Sequence, residues 1–146
     1  MYPFERFSED AKKVLTYAQG EAEQSRHSYI GTEHLLLALL QVESGARALL
    51  KHLGIEEEAV RATIRNVLGR NERIVIQQII PTSRVKKVIE LSFAAAQREG
   101  ASCVTPEHLL IGLVEEGEGI AAHVLQDLGV TREAVLHGRR GAPEEG

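Results

Sequence analysis

The residues with the most chemical potential stand in two short, related stretches. Ile30-Gly31-Thr32-Glu33-His34 and Val104-Thr105-Pro106-Glu107-His108 each place a carboxylate directly behind a helix-start signal. Gly31 or Thr32 fits the N-cap of the first stretch. Thr105 fits that of the second, with Pro106 in the favoured first helical position. A helix start presents unpaired N–H groups and a partial positive charge, so it accepts anions. An acidic residue in the first turn gains only about 0.3–1 kcal/mol from the helix dipole. A capping box would give the acid a stronger structural role, but it needs that acid at the third helical position. With threonine caps, Glu33 stands first and Glu107 second. Neither closes a box, and both are freer to face a ligand. A carboxylate beside an anion-accepting helix start suits a zwitterion. Phosphoarginine is one: its phosphate would meet N–H groups and its guanidinium fork the carboxylate. Gly31, Thr32, Glu33, Thr105, Pro106 and Glu107 are therefore the candidate ligand-binding residues. Pro106 has no N–H to offer, so the second site is expected to be the weaker.

Other chemistry finds no support. His34 and His108 follow the two glutamates, and the favoured reading is structural, packing or hydrogen bonding at the base of each helix. The order Glu-His reverses the zinc motif H-E-x-x-H, and the six histidines form no i, i+4 pair flanked by carboxylates, so no metal site is expected. Neither phosphate-loop fingerprint occurs, nor a G-x-S-x-G elbow. No catalytic residue and no cofactor is expected, and the chain reads as a binding module rather than an enzyme.

The elements that must hold these stretches come in two copies. Lys12, Lys13 and Val14 match Lys86, Lys87 and Val88; Glu33, His34 and Leu35 match Glu107, His108 and Leu109, at a constant offset of 74. The register slips by one residue near Val42 and Glu116. Leu50, Leu53, Gly54 and Ile55 then answer Leu125, Leu128, Gly129 and Val130. The repeat covers roughly 8–65 and 82–140 and must be read before anything else, because it dictates the architecture. Each copy reads as four helices. The first begins behind Ser8 or Thr82, with Ala11, Val14, Leu15, Ala18 and Ala22 at helical spacing. The second, Leu35 to Leu40 or Leu109 to Val114, is apolar all round and therefore central. The third stops at Gly54 or Gly129, each placed as a C′ glycine. The fourth opens near Glu56 or Thr131. Between the copies, Ile74, Ile76, Ile79 and Ile80 give an extended character. An ordered linker packed along both repeats and ended by Pro81 is preferred there over a stray hairpin. The expected division is repeat one at 1–68, linker at 69–81, repeat two at 82–138 and a mobile tail at 139–146.

Composition narrows the function class. The 146 residues can bury a real core, and the net charge of −4 argues against nucleic acid or anionic membrane as partner. There is no Trp, so stacking platforms for single strands are scarce. Cys103 is the only cysteine, which rules out an internal disulfide and fits a reducing cytoplasm. The start MYPFERFSEDAKK has no signal-peptide pattern, and apolar runs of about six residues fall far short of the ~20 a membrane span needs. A cytoplasmic protein is expected.

The stretches FERFSEDAKKVL, YIGTEHLLLALL, PTSRVKKVIELS and TPEHLLIGLVEEGEGIAAHVLQDLGV, at this spacing, carry a resemblance. From about Phe4 to Leu136 the chain resembles the N-terminal (Clp N) domain of the Clp AAA+ unfoldases, of the ClpC type. The resemblance implies an all-α fold of eight helices in two pseudo-symmetric four-helix Clp N repeats. It implies recognition of protein substrates and adaptors for a Clp unfoldase and protease. It also implies phosphoarginine binding at one site per repeat, the family glutamate falling on Glu33 and its counterpart on Glu107. Some relatives bind cyclic-peptide antibiotics near the N-terminal segment, which corresponds here to Phe4 and Lys12. Repeat two departs from the family's GTEH with TPEH, and repeat one reads QVESGARALL where the family has a longer REGEGIAA-like turn. The sequence carries no AAA+ module, and its altered last helix favours a free-standing protein over an excised domain. A protein-only adaptor, decoy or regulator without phosphoarginine binding is the competing expectation.

Overall fold

The computed structural model describes residues 4–25, 29–68 and 80–136. Most of the expected linker, and the whole of the expected 139–146 tail, lie outside these residues. A 3-10 turn at Phe4–Arg6 leads into α1 (Glu9–Gln24), α2 (Thr32–Gln41), α3 (Gly45–His52) and α4 (Glu57–Leu68). Repeat two supplies α5 (Ser83–Arg98), α6 (Pro106–Glu116), α7 (Ile120–Asp127) and α8 (132–136). The expected all-α fold of eight helices in two repeats is the one observed.

Local chemistry explains the boundaries. The Ser8 hydroxyl accepts the Ala11 N–H at 3.1 Å, and the Thr82 hydroxyl accepts that of Val85 at 3.2 Å. Both first helices are therefore capped where the sequence placed their caps. Gly54 and Gly129 adopt φ of +85° and +86°. Around them Ile55 N–H reaches Leu50 O and Val130 N–H reaches Leu125 O, at 2.9 and 2.8 Å. These bonds end α3 and α7 in Schellman motifs, a conformation that a side chain at the glycine would strain.

The two repeats interlock. Leu35, Leu36 and Leu39 of α2 and Leu109, Leu110 and Leu113 of α6 are buried in one shared core. Burial of each such side chain stabilises by about 1.5–3 kcal/mol, so these two helices anchor the molecule. The segments ahead of them exchange backbone bonds across the repeats. Thr82 N–H donates to Ile30 O at 3.1 Å, and Ser8 N–H donates to Val104 O at 2.8 Å. Tyr29 and Ile30 (β1) pair in parallel with Ile80 and Pro81 (β2), while Phe7 bridges Val104. Since 30 + 74 = 104 and 8 + 74 = 82, these are the same contact made twice. Each repeat positions the start of the other repeat's second helix.

Candidate functional site

The first candidate site forms at the N-terminus of α2. Gly31 is its N-cap, so Thr32 and Glu33 occupy the first and second helical positions. This settles the cap on glycine rather than threonine and moves Glu33 one place inward from the position expected. One half of a capping box is present after all, made by histidine. His34 Nδ1 accepts the Gly31 N–H at 2.9 Å, and His108 Nδ1 accepts the Thr105 N–H at 2.9 Å. The third-position imidazole thus does what a glutamate does in the usual box. Accepting at Nδ1 places the proton of a neutral ring on Nε2; in His108 that nitrogen meets Glu99 Oε1 at 2.8 Å. Both histidines are structural, as the sequence favoured.

Glu33 is buried, where its position outside a capping box suggested a side chain freer to face a ligand. Its residue is 2 % exposed. The carboxylate is folded back over Gly31, where a Cβ would push it aside. Its own backbone N–H and the nearby Tyr29 hydroxyl favour the charged form, and Oε2 is buried with no hydrogen-bond partner. Burial pushes the Glu33 carboxyl above the usual carboxylate range, against the pull of those two donors. Tyr29 is pushed up to about 12, first by burial and then by the neighbouring carboxylate. A buried polar group left unsatisfied costs about 1–3 kcal/mol, more for a charge, which exceeds the 0.3–1 kcal/mol or so a first-turn acid gains from the dipole.

Thr32 and Pro106 are occupied by the scaffold. Thr32 is buried, and its hydroxyl accepts the Ala121 N–H at 3.1 Å, capping α7 from the other repeat. The N-cap of α7 is Gly119, which has no side chain to do this itself. The equivalent helix α3 carries its own cap, Ser44, whose hydroxyl accepts the Arg47 N–H at 3.3 Å. The counterpart of Thr32 is Pro106 (32 + 74 = 106), which needs no hydroxyl there. Pro106 is buried at the first position of α6 behind the Thr105 N-cap, as expected. Glu107 is half-buried, and its carboxylate lies over Gly45 at the start of α3. Lys12 is half-buried and pairs with Glu9 at 3.3 Å. Phe4 opens the 3-10 turn, and its side chain falls outside the described residues.

Two features escaped the sequence reading. Tyr29 was passed over although it stands inside the YIGTEH motif. An ion-pair network also ties three helices of repeat one. Arg61 grips Glu21 with both terminal nitrogens, at 3.1 and 2.7 Å, and reaches Glu57 at 2.8 Å; Gln41 donates to Glu21 at 2.6 Å. The Arg61 guanidinium holds the Glu21 carboxyl below its ordinary value. Repeat two rebuilds this clamp with different residues: Arg98 and Arg132 converge on Glu115, the counterpart of Gln41 (41 + 74 = 115). Among the described residues no group of three or more His, Cys, Asp or Glu could hold a metal ion. None of their helices is long and apolar enough to cross a membrane.

A family model of the "Clp repeat (R) N-terminal domain" matches residues 6–128. The chain belongs to the Clp N-terminal domain family. This Clp N domain is 46 % identical over 129 residues to "Negative regulator of genetic competence ClpC/MecB" of Bacillus subtilis (strain 168), covering 88 % of the chain and 16 % of the relative. It is 43 % identical over 127 residues to "Chaperone protein ClpC1, chloroplastic" of Arabidopsis thaliana, covering 86 % of the chain and 14 % of the relative. The chain thus spans about a sixth of the length of these relatives. The fold matches the N-terminal domain of ClpD from Arabidopsis thaliana with a TM-score of 0.79 at 22 % identity, covering 98 % of this chain and 97 % of that one. A ClpV N-domain in complex with a VipB peptide matches with a TM-score of 0.71 at 16 % identity, over 92 % and 89 % of the two chains.

Proposed function

We propose that this Clp N domain is a recognition module of the Clp chaperone and protease system, without catalysis of its own, acting in the cytoplasm. It binds protein substrates or adaptors, and reads phosphoarginine on them at the starts of α2 and α6. The observation that carries the finer reading is Glu33. A buried carboxylate with an unpartnered oxygen, at a helix start, is costly to the fold and matches a guanidinium fork. Glu107 repeats the position in the second copy. Family membership supports the coarser reading, and the match covers 16 % of the Bacillus subtilis relative's length.

Calorimetry with free phosphoarginine tests this, with arginine and inorganic phosphate as controls. Saturable binding to phosphoarginine alone is expected, lost in the Glu33→Ala, Glu107→Ala double variant. Glu33→Ala alone removes site one without lowering the thermal stability much. Binding that survives in the double variant overturns the site assignment.

The second reading, a protein-only adaptor or decoy, draws on two observations: the Thr32 hydroxyl is spent on α7, and Glu33 is buried. Under that reading phosphoarginine has no effect while a partner protein still binds.

A further inference from the structure

The ion clamp at the end of α6 carries the opposite charge balance from its counterpart in repeat one. There a single guanidinium, Arg61, answers two carboxylates, Glu21 and Glu57. In repeat two a pair of guanidinium groups, Arg98 and Arg132, shares one carboxylate, Glu115. The sequence makes the exchange residue by residue. Glu21 gives way to Ala95 at the offset of 74. Beyond the one-residue slip the offset becomes 75 (50 + 75 = 125), so Glu57 gives way to Arg132 and Arg61 to Leu136. Among the described residues each arginine reaches only Glu115, through one terminal nitrogen, at 3.4 and 3.3 Å. Both keep more than half of the side chain in water, at 57 % and 51 % exposure. A guanidinium held by one nitrogen has donors to spare. On a chain of net charge −4, this leaves a local cationic surplus.

The surplus borders an apolar cleft of about 220 Å³ between α6, α7 and α8, where Val114, Ala122, Leu125 and Val130 share the walls with Arg132. Two of these residues are smaller than their counterparts: Val114 stands where repeat one has Leu40, and Ala122 where it has Arg47. The cleft is smaller than the ~300–1,000 Å³ of a small-molecule site, so it suits a leucine-sized anchor rather than a cofactor. An apolar anchor in a pocket, with charged contacts around it, is the usual core of a protein interface. We propose that this cleft docks an acidic, leucine-bearing segment of a partner protein: the apolar side chain enters the cleft, and a neighbouring carboxylate takes the spare donors of Arg98 and Arg132. The proposal rests on the protein-recognition reading above and is independent of phosphoarginine, since none of the six candidate ligand residues is among the described walls.

Amide NMR on the 146-residue chain tests this with the blocked peptide acetyl-Gly-Leu-Glu-Glu-Leu-Gly-amide, at concentrations up to the order of millimolar. Saturable shifts at Val114, Ala122, Leu125 and Val130 are expected. The same peptide with glutamine for both glutamates is expected to bind about tenfold more weakly, the scale of two exposed ion pairs. In the Arg98→Gln, Arg132→Gln variant, which changes exposed side chains only, the two peptides are expected to bind alike. Ala122→Leu fills the cleft and is expected to abolish the shifts from both; the arginine variant decides the matter if that substitution disturbs folding. Equal binding of the two peptides by the wild type overturns the proposal. So does an absence of shifts, and so do shifts gathered on another face, although the last keeps protein recognition. Binding that emerges only in Glu144→Gln, Glu145→Gln names the chain's own end as the occupant and overturns a partner there. Cleft shifts that follow protein concentration without peptide name a second copy and do the same. The Glu33→Ala, Glu107→Ala variant is expected to bind the peptide as the wild type does, so this reading and the phosphoarginine reading fail separately.

Discussion

Glu33 is where the residue scale is most informative, because its stability and its proposed role pull in opposite directions. Its folded carboxyl titrates above its unfolded value, so ionisation is easier after unfolding, and the charge lowers stability at neutral pH. That penalty fades as pH falls through the folded value and is gone below the unfolded one. Glu33→Gln is therefore expected to raise the stability at pH 7 by an amount on the order of 1–3 kcal/mol, seen as a higher Tm, and to lose this advantage at about pH 4. Calorimetric melts at the two pH values check it; a lower Tm at pH 7 would mean the carboxylate is structural. Glu21 has the opposite sign. The Arg61 guanidinium lowers its folded value, so its contribution is present above the usual carboxylate range and lost as pH falls through the folded value. Arg61→Ala is expected to cost about 1–3 kcal/mol in urea melts, since Glu21 is buried while Arg61 keeps a third of its side chain in water. The positions of the two glutamates behind helix-start signals were legible in the sequence. The folding back of Glu33 was not, because the helix-start grammar locates a residue and leaves its rotamer to the surrounding side chains.

At the scale of the element, the caps and stops were almost fully legible. Ser8, Thr82, Thr105, Gly54 and Gly129 hold the roles that local propensity assigns them, because those roles depend on a few neighbouring residues. No side chain at Gly54 or Gly129 would meet another atom within 4 Å, so Gly54→Ala or Gly129→Ala carries only the backbone penalty of the left-handed region. A loss of about 1–2 kcal/mol per site is expected in denaturant melts. Two things were illegible at this scale. The histidine at the third helical position replaces the expected acid of a capping box, and Thr32 caps a helix 89 residues further along the chain. Long-range capping has no local signature. Thr32→Val should leave the Ala121 N–H without its acceptor, costing about 1–2 kcal/mol. Faster hydrogen exchange at Ala121 and along α7 is the expected sign, and unchanged exchange there would contradict the cap.

For the whole molecule, the constant offset of 74 foretold two like units, but not that each completes the other. Ser8 bonds to Val104, Thr82 to Ile30, and Thr32 caps α7, so the contacts that shape the sites run between repeats. The interlock is visible only in three dimensions, since a repeat period says nothing about how its copies face each other. One cooperative thermal transition is expected for the chain, with calorimetric and van't Hoff enthalpies in agreement. Two separate transitions would show the repeats to be independent. An apolar cleft of about 220 Å³ between α6, α7 and α8, lined in part by Val114, Ala122, Leu125 and Val130, lies apart from all six candidate ligand residues and serves as a control surface. The most direct test of the account is a two-dimensional amide NMR titration of the 146-residue chain with free phosphoarginine. Saturable shifts gathered on Gly31–His34 and on Thr105, Glu107 and His108 are the expected result. Shifts confined to the cleft, or none at ligand concentrations on the order of millimolar, would contradict it.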